Sequence, residues 1–98
     1  MYKIVETPEF QKWIDSIRDI SIKIRLTRRL GKAKNGNLGD IKAIGEGLYE
    51  MREHFGSGWR MYYTIKGNII IVMLGGGIKS TQSSDIKVVK KLLKVLED

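Results

Sequence analysis

The chain has 98 residues, of which 42% are hydrophobic, and it carries a formal net charge of +7 with one histidine and no cysteine. That length makes one domain with a modest core, spanning residues 1–98. Disulfides are excluded, a zinc site lacks ligands, and no run approaches the roughly 18 apolar residues of a membrane helix.

Residues 2–6, YKIVE, read as a short strand. Thr7-Pro8 then opens a helix, with Thr7 as N-cap and Pro8 in the first helical position, where a missing N–H costs nothing. Phe10, Trp13, Ile14 and Ile17 recur at helical spacing and form a core-facing stripe. A break is expected near Arg18-Asp19, followed by a second helix over 20–34. Its inner face takes Ile22, Leu26, Leu30 and Ala33, with Ile20 and Ile24 beside them; Lys23, Arg25, Arg28, Arg29, Lys32 and Lys34 cover the rest. NGNLGD is turn chemistry, and IKAIGEG is a short strand and a loop.

From Leu48 the period is two. Tyr49, Met51 and Phe55 fall on one face, and Glu50, Arg52 and His54 on the other. GSG at 56–58 turns the chain. Trp59, Met61, Tyr63 and Ile65 then share a face opposite Arg60, Tyr62 and Thr64. KGN at 66–68 is a tight hairpin turn. IIIVML, 69–74, is a continuous apolar strand buried on both faces, and the glycines at 75–77 let its end bend or a partner backbone come close. A last helix over 82–96 turns Ile86, Val89, Leu93 and Leu96 inward. The order β-α-α-β-β-β-β-α predicts an α+β fold: two N-terminal helices and a C-terminal helix packed on a mainly antiparallel sheet of four to five strands.

The charge excess points to an anionic partner, either nucleic acid or an acidic protein surface. Alternation puts Arg52, His54, Arg60 and Tyr62 on the non-core face of two strands, in one patch if these pair through the GSG turn. Two guanidiniums, an imidazole and a phenol suit a phosphodiester: forked, charge-assisted bonds for the phosphate and a ring to stack or donate. Lys79 follows at the end of the next strand, and Gln82 and Asp85 begin the last helix, whose N-terminus adds free N–H groups and a positive dipole end. The competing reading is a solvated face with cross-strand pairs such as Glu50 with Arg60. An imidazole suits proton transfer near neutral pH, so His54 is either a general acid or base or a plain surface residue. The second helix carries six cations between 23 and 34 and no acidic residue, which reads as a solvated face or as a phosphate-contacting one. The opening MYKIVETPEF has no signal-peptide core, so the expected location is cytoplasmic, with no membrane partner.

GNLGDIKAIGEGLYEMREHFGSGWRMYYT, followed by GGGIKSTQSSDI, resembles the phage-derived, HigB-like branch of the RelE/ParE toxin superfamily, often called addiction module killer proteins. The likeness covers nearly the whole chain, including FQKWIDSI near the start. It implies a RelE-like fold and a type II toxin neutralised by a cognate antitoxin encoded beside it, a helix-turn-helix DNA-binding protein. In the ribonuclease branch it implies a ribosome-dependent endoribonuclease that cleaves mRNA without metal or cofactor. The RNA's own 2′-hydroxyl attacks the adjacent phosphate and leaves a 2′,3′-cyclic phosphate. Carried over, Arg52 and Arg60 hold the phosphate and stabilise the transition state, and Lys79 neutralises charge or assists the leaving oxygen. His54 or Asp85 is the candidate base, and Tyr62 and Gln82 position the RNA. The outer face of the second helix, with Arg25, Arg28, Arg29 and Lys32, is the expected contact with ribosomal RNA. Two positions depart from the family pattern. Ile78 stands where an acidic residue commonly precedes the lysine, and many ribonuclease members carry tyrosine or histidine near Asp85. The same fold carries two alternatives: a ParE-like toxin that inhibits DNA gyrase by binding, and a basic RNA-binding domain without catalysis. The basic alternating face favours the ribonuclease over the gyrase binder.

Overall fold

The computed structural model describes residues 1–97. Over these the elements are β1 (Lys3–Glu6), α1 (Pro8–Ser16), α2 (Ile20–Lys34), β2 (Ile41–Gly45), β3 (Leu48–Arg52), β4 (Trp59–Lys66), β5 (Ile70–Ile78) and α3 (Gln82–Glu97). A short 3₁₀ turn, Lys79–Thr81, joins β5 to α3. The strands form one five-stranded sheet in the order β1-β5-β4-β3-β2. β1 runs parallel to β5, and the other pairs are antiparallel. This is the α+β architecture expected from the sequence, with helices on both faces of the sheet.

Helix α1 forms where its capping chemistry predicts. Thr7 accepts from the Phe10 N–H at 3.1 Å and donates its hydroxyl to the Met73 carbonyl at 2.9 Å, so one side chain caps α1 and ties it to β5. Asp19 caps α2 through the Ser21 N–H at 2.9 Å and the Ser21 hydroxyl at 2.7 Å. Those bonds hold its carboxyl below the ordinary carboxylate range. α1 and α2 cover one face of the sheet, where Phe10, Ile14, Leu26, Met51, Met61 and Tyr63 belong to the larger core. α3 covers part of the other face, where its Val89 and Leu93 pack with Leu48, Tyr62, Val72 and Leu74.

Helix α3 changes the meaning of the alternation in β3 and β4. Glu50 and Tyr62, expected on an open polar face, are fully buried, because α3 lies over that half of the sheet. Ile20, Ile24 and Leu96, expected inward, are exposed at the margins of their helices. Periodicity places a residue on a stripe; where the neighbouring element stops decides whether the stripe is covered.

The glycine triplet is packed by a helix on each face of the strand. β5 runs through it to Ile78, with a register shift that leaves Leu74 between the Tyr62–Gly75 and Tyr63–Met73 pairs. Gly76 lies flat against the Trp13 ring, and a Cβ there would collide with it. On the opposite face a Gly75 Cβ would stand 3.1 Å from Val89, and one on Gly77 would overlap the Asp85 carboxylate. The triplet lets α1 and α3 press onto opposite faces of one strand.

Arg29, expected on the solvent face of α2, is 7% exposed. Its guanidinium donates to the carbonyls of Leu38 (2.9 and 3.2 Å), Asp40 (2.7 Å) and Arg52 (2.9 Å), and its NH1 lies 3.3 Å from the Glu53 carboxylate. It is a cross-link between α2, the 38–40 loop and the end of β3, which removes it from the expected RNA-contacting face. Arg28, one residue earlier, is exposed. Arg29→Met strands the carbonyls that Arg29 serves and is expected to cost about 2–4 kcal/mol in urea unfolding, against less than about 0.5 kcal/mol for Arg28→Ala. Equal effects of the two substitutions would return Arg29 to the surface.

Candidate functional site

The sheet face that α3 leaves uncovered opens into a cleft of about 440 Å³ at the paired ends of β3 and β4. Arg52, His54, Arg60 and Lys79 line it, and the Gly56–Ser57–Gly58 turn closes one side. Each cation arrives by a different route. Arg52 and Arg60 face each other across the β3–β4 ladder. Lys79 is delivered by the end of β5, where its N–H donates to the Ser57 carbonyl at 3.3 Å. His54 follows β3 and is 68% exposed. Gly58, with φ of 76°, packs so closely that a Cβ there would stand 3.1 Å from the Lys79 Cβ and 3.4 Å from an Arg60 nitrogen. A turn residue thus sets how near the two cations come.

Arg60 is the least ordinary of these groups. Its side chain is 6% exposed, its Nε has no partner among the described residues, and its NH1 reaches only the Trp59 carbonyl at 3.4 Å. The expected Glu50–Arg60 pair does not form. Glu50 instead accepts both contacts of the Gln82 amide, at 2.9 and 3.0 Å, beneath the start of α3. A buried guanidinium with spare donors and no carboxylate against it is costly unless an anion completes it. Arg52 also keeps a free Nε, while its NH2 donates to Asp40 at 3.0 Å.

Of the residues singled out in the sequence, Arg52, His54, Arg60 and Lys79 come together around the cleft. Three others do not line it. Tyr62 lies fully buried under α3, and burial first, with the nearby Glu50 and Asp85 charges, pushes its phenol far above the usual tyrosine range. Gln82 is bound to Glu50, fastening α3 to the sheet. Asp85 accepts the Thr81 hydroxyl at 2.5 Å and borders a separate groove between α1 and α3, beside Trp13 and Val88. The exposed cations of α2, Arg25, Arg28 and Lys32, border a neighbouring hollow with Glu53. The Arg25 guanidinium lies 3.7 Å over the Phe55 ring, so this basic surface adjoins the cleft through the 53–55 segment.

Asp40 was read in the sequence only as part of a turn. Its Oδ2 lies 2.6 Å from the His54 Nε2 and its Oδ1 accepts from Arg52. The His54 contact first, then the Arg52 one, holds the Asp40 carboxyl below its ordinary range. No local signal marks it: the contact depends on which β3 residue the hairpin sets opposite. Among the described residues no three His, Asp or Glu side chains gather as ligands for a metal ion, and no helix is long and apolar enough to cross a membrane.

The comparisons with known proteins bear on this arrangement. Residues 12–97 match the family described as phage-derived protein Gp49-like (DUF891). An uncharacterised protein of Haemophilus influenzae is 34% identical over 94 residues, covering 96% of this chain and 95% of its own. Among solved structures, an arginine-substituted mutant of the E. coli toxin RelE in the free state superposes with a TM-score of 0.69 at 14% identity, over 92% of this chain and 96% of that one. RelE in the intact E. coli RelBE toxin–antitoxin complex superposes with a TM-score of 0.63 at 15% identity, over 80% and 96%. The likeness to RelE is one of fold, and the sequence match is one of family: the chain belongs to the phage-derived Gp49-like family and has the RelE fold.

Proposed function

We propose that this protein is the toxin of a toxin–antitoxin pair, an endoribonuclease that cleaves mRNA on the ribosome. The observation that carries the reading is the Arg60 guanidinium, buried in the cleft wall with a free Nε and no carboxylate against it among the described residues. A phosphodiester supplies the missing anion, and Arg52 and Lys79 stand on the same cleft to share its charge. The fold shared with RelE and the family membership agree with this reading.

In the proposed reaction the substrate's 2′-hydroxyl loses its proton and attacks the adjacent phosphorus. The bond to the 5′-oxygen breaks, and that oxygen takes up a proton. The products are a 2′,3′-cyclic phosphate and a 5′-hydroxyl. Arg60 and Arg52 hold the non-bridging oxygens and meet the charge that grows on them. Neither arginine exchanges protons at neutral pH, so proton transfer falls to His54, with Lys79 beside the leaving oxygen. Asp85, beyond the cleft and bonded to Thr81, is a helix-start contact in this scheme rather than the base. Arg25, Arg28 and Lys32 carry the contact with ribosomal RNA. The RelBE complex is a toxin held by its antitoxin, and by analogy a helix-turn-helix antitoxin encoded alongside holds this chain. Action on ribosomes places it in the cytoplasm.

Induced expression is expected to stop protein synthesis before DNA synthesis; replication failing first would favour gyrase inhibition. Arg52→Ala, Arg60→Gln and Lys79→Ala are each expected to slow cleavage on programmed ribosomes by about 10²-fold or more, with circular dichroism unchanged. Glutamine retains much of the volume of the buried Arg60 stem. Wild-type rates in all three would remove the cleft from the reaction. Reversing Arg25, Arg28 and Lys32 to Glu is expected to weaken ribosome co-sedimentation and lower its salt slope by about one unit per lost phosphate contact. An unchanged slope would identify a merely solvated face.

A further inference from the structure

The geometry assigns Asp40 as a positioning residue of the cleft: one carboxylate oxygen holds His54 by Nε2, the other holds Arg52, and the imidazole is left with Nδ1 as its free, proton-accepting nitrogen. The inference deepens the ribonuclease reading and rests on it for the chemistry, though not for the geometry.

Three observations carry it. First, the two oxygens divide their work between two cleft residues, Oδ2 at 2.6 Å from His54 Nε2 and Oδ1 at 3.0 Å from Arg52 NH2. Second, Asp40 is itself held from behind. Its carbonyl accepts the Arg52 N–H at 2.9 Å and the Arg29 guanidinium at 2.7 Å, so its backbone is fixed at the start of β2. A surface ion pair between long, free side chains has no such anchorage. Third, an ionised carboxylate only accepts hydrogen bonds, so the ring nitrogen facing it must carry the hydrogen. A neutral His54 held this way has its lone pair on Nδ1. His54 has no other polar side-chain contact among the described residues.

The charges around the pair give the contact a chemical purpose. Arg52 from β3, Arg60 from β4, Lys79 from the end of β5 and Arg29 from α2 all lie near Asp40 or line the cleft with His54. These cations, of which Arg29 is already paired with Glu53, oppose the positive charge that the imidazole gains when it accepts the 2′-hydroxyl proton. Asp40 is the carboxylate that opposes them at His54, stabilising the imidazolium while holding the ring in one orientation. Its place on Arg52 turns that guanidinium too, leaving the Arg52 Nε free.

His54 is the sole histidine of the sequence, so its ring nitrogens can be followed by ¹⁵N NMR without ambiguity. The wild-type protein is expected to show the Nε2–H tautomer at high pH. Asp40→Asn, whose amide can donate as well as accept, is expected to relax that preference toward a mixture of the two neutral tautomers. On programmed ribosomes, Asp40→Asn is expected to slow single-turnover cleavage by about 10-fold or more. Adding Asp40→Asn to His54→Ala is expected to cost little more than His54→Ala alone. An Nδ1–H tautomer in the wild-type protein, or an unchanged tautomer ratio in Asp40→Asn, would overturn the Asp40 assignment by NMR alone. A normal rate in Asp40→Asn, or losses that multiply in the double variant, would overturn it as well while leaving the ribonuclease reading standing. Absence of cleavage by the wild-type protein would instead remove the ribonuclease reading and the catalytic part of this assignment.

Discussion

The cleft depends on a residue outside it. The buried Arg29 guanidinium gathers the carbonyls of Leu38, Asp40 and Arg52, from the 38–40 loop and the end of β3. A charged donor at three carbonyls is worth more than the same contacts from water, because the site is shielded and the planar fork is already shaped for them. By fixing Asp40 and the end of β3 together, Arg29 sets the origin from which Arg52 and His54 project. A lysine would offer a point charge and no fork, so the substitution is not conservative here.

Strand register then decides which side chains meet. β2 and β3 pair Ile41 with Met51 and Ala43 with Tyr49, but the register slips by one between Ala43 and Gly45. Without that slip, the pairing begun at Gly45–Leu48 would carry Asp40 opposite Glu53, where two carboxylates would repel. With it, Asp40 stands across from Arg52. The irregularity at Leu74 does similar work between β4 and β5. It places Gly77 opposite Arg60 and lets the strand continue to Ile78, just before Lys79. Each one-residue offset turns every following side chain to the other face, so these two bulges determine the composition of the cleft.

The face occupied by the cleft is divided. Over one half, α3 buries Tyr62, Leu74 and Val72; beyond its N-terminus the face remains polar and open. Glu50 and Gln82 mark the boundary, a buried carboxylate satisfied by an amide rather than by the nearby guanidinium. That choice leaves Arg60 unneutralised. A fold selected for stability alone would pair Arg60 with Glu50 or replace both with apolar groups. Retaining an uncompensated buried cation is the kind of local inconsistency expected of a site that waits for an anion.

The sequence by itself determined the element order, the cap at Thr7, the break near Asp19, the KGN hairpin and the two-residue period of β3 and β4, because each follows from local torsional and hydrogen-bonding preferences within a few residues. It also brought out Arg52, His54, Arg60 and Lys79, whose alternation and position at strand ends are visible without a partner strand. Only the tertiary structure decided that Arg29 is internal while Arg28 is not, that Tyr62 and Glu50 lie under α3, and that Asp40 joins the cleft. Those outcomes turn on how far one helix extends over a sheet and on one-residue register shifts. Both are settled by packing between segments distant in the chain, where the local pattern is the same whichever way the contact falls.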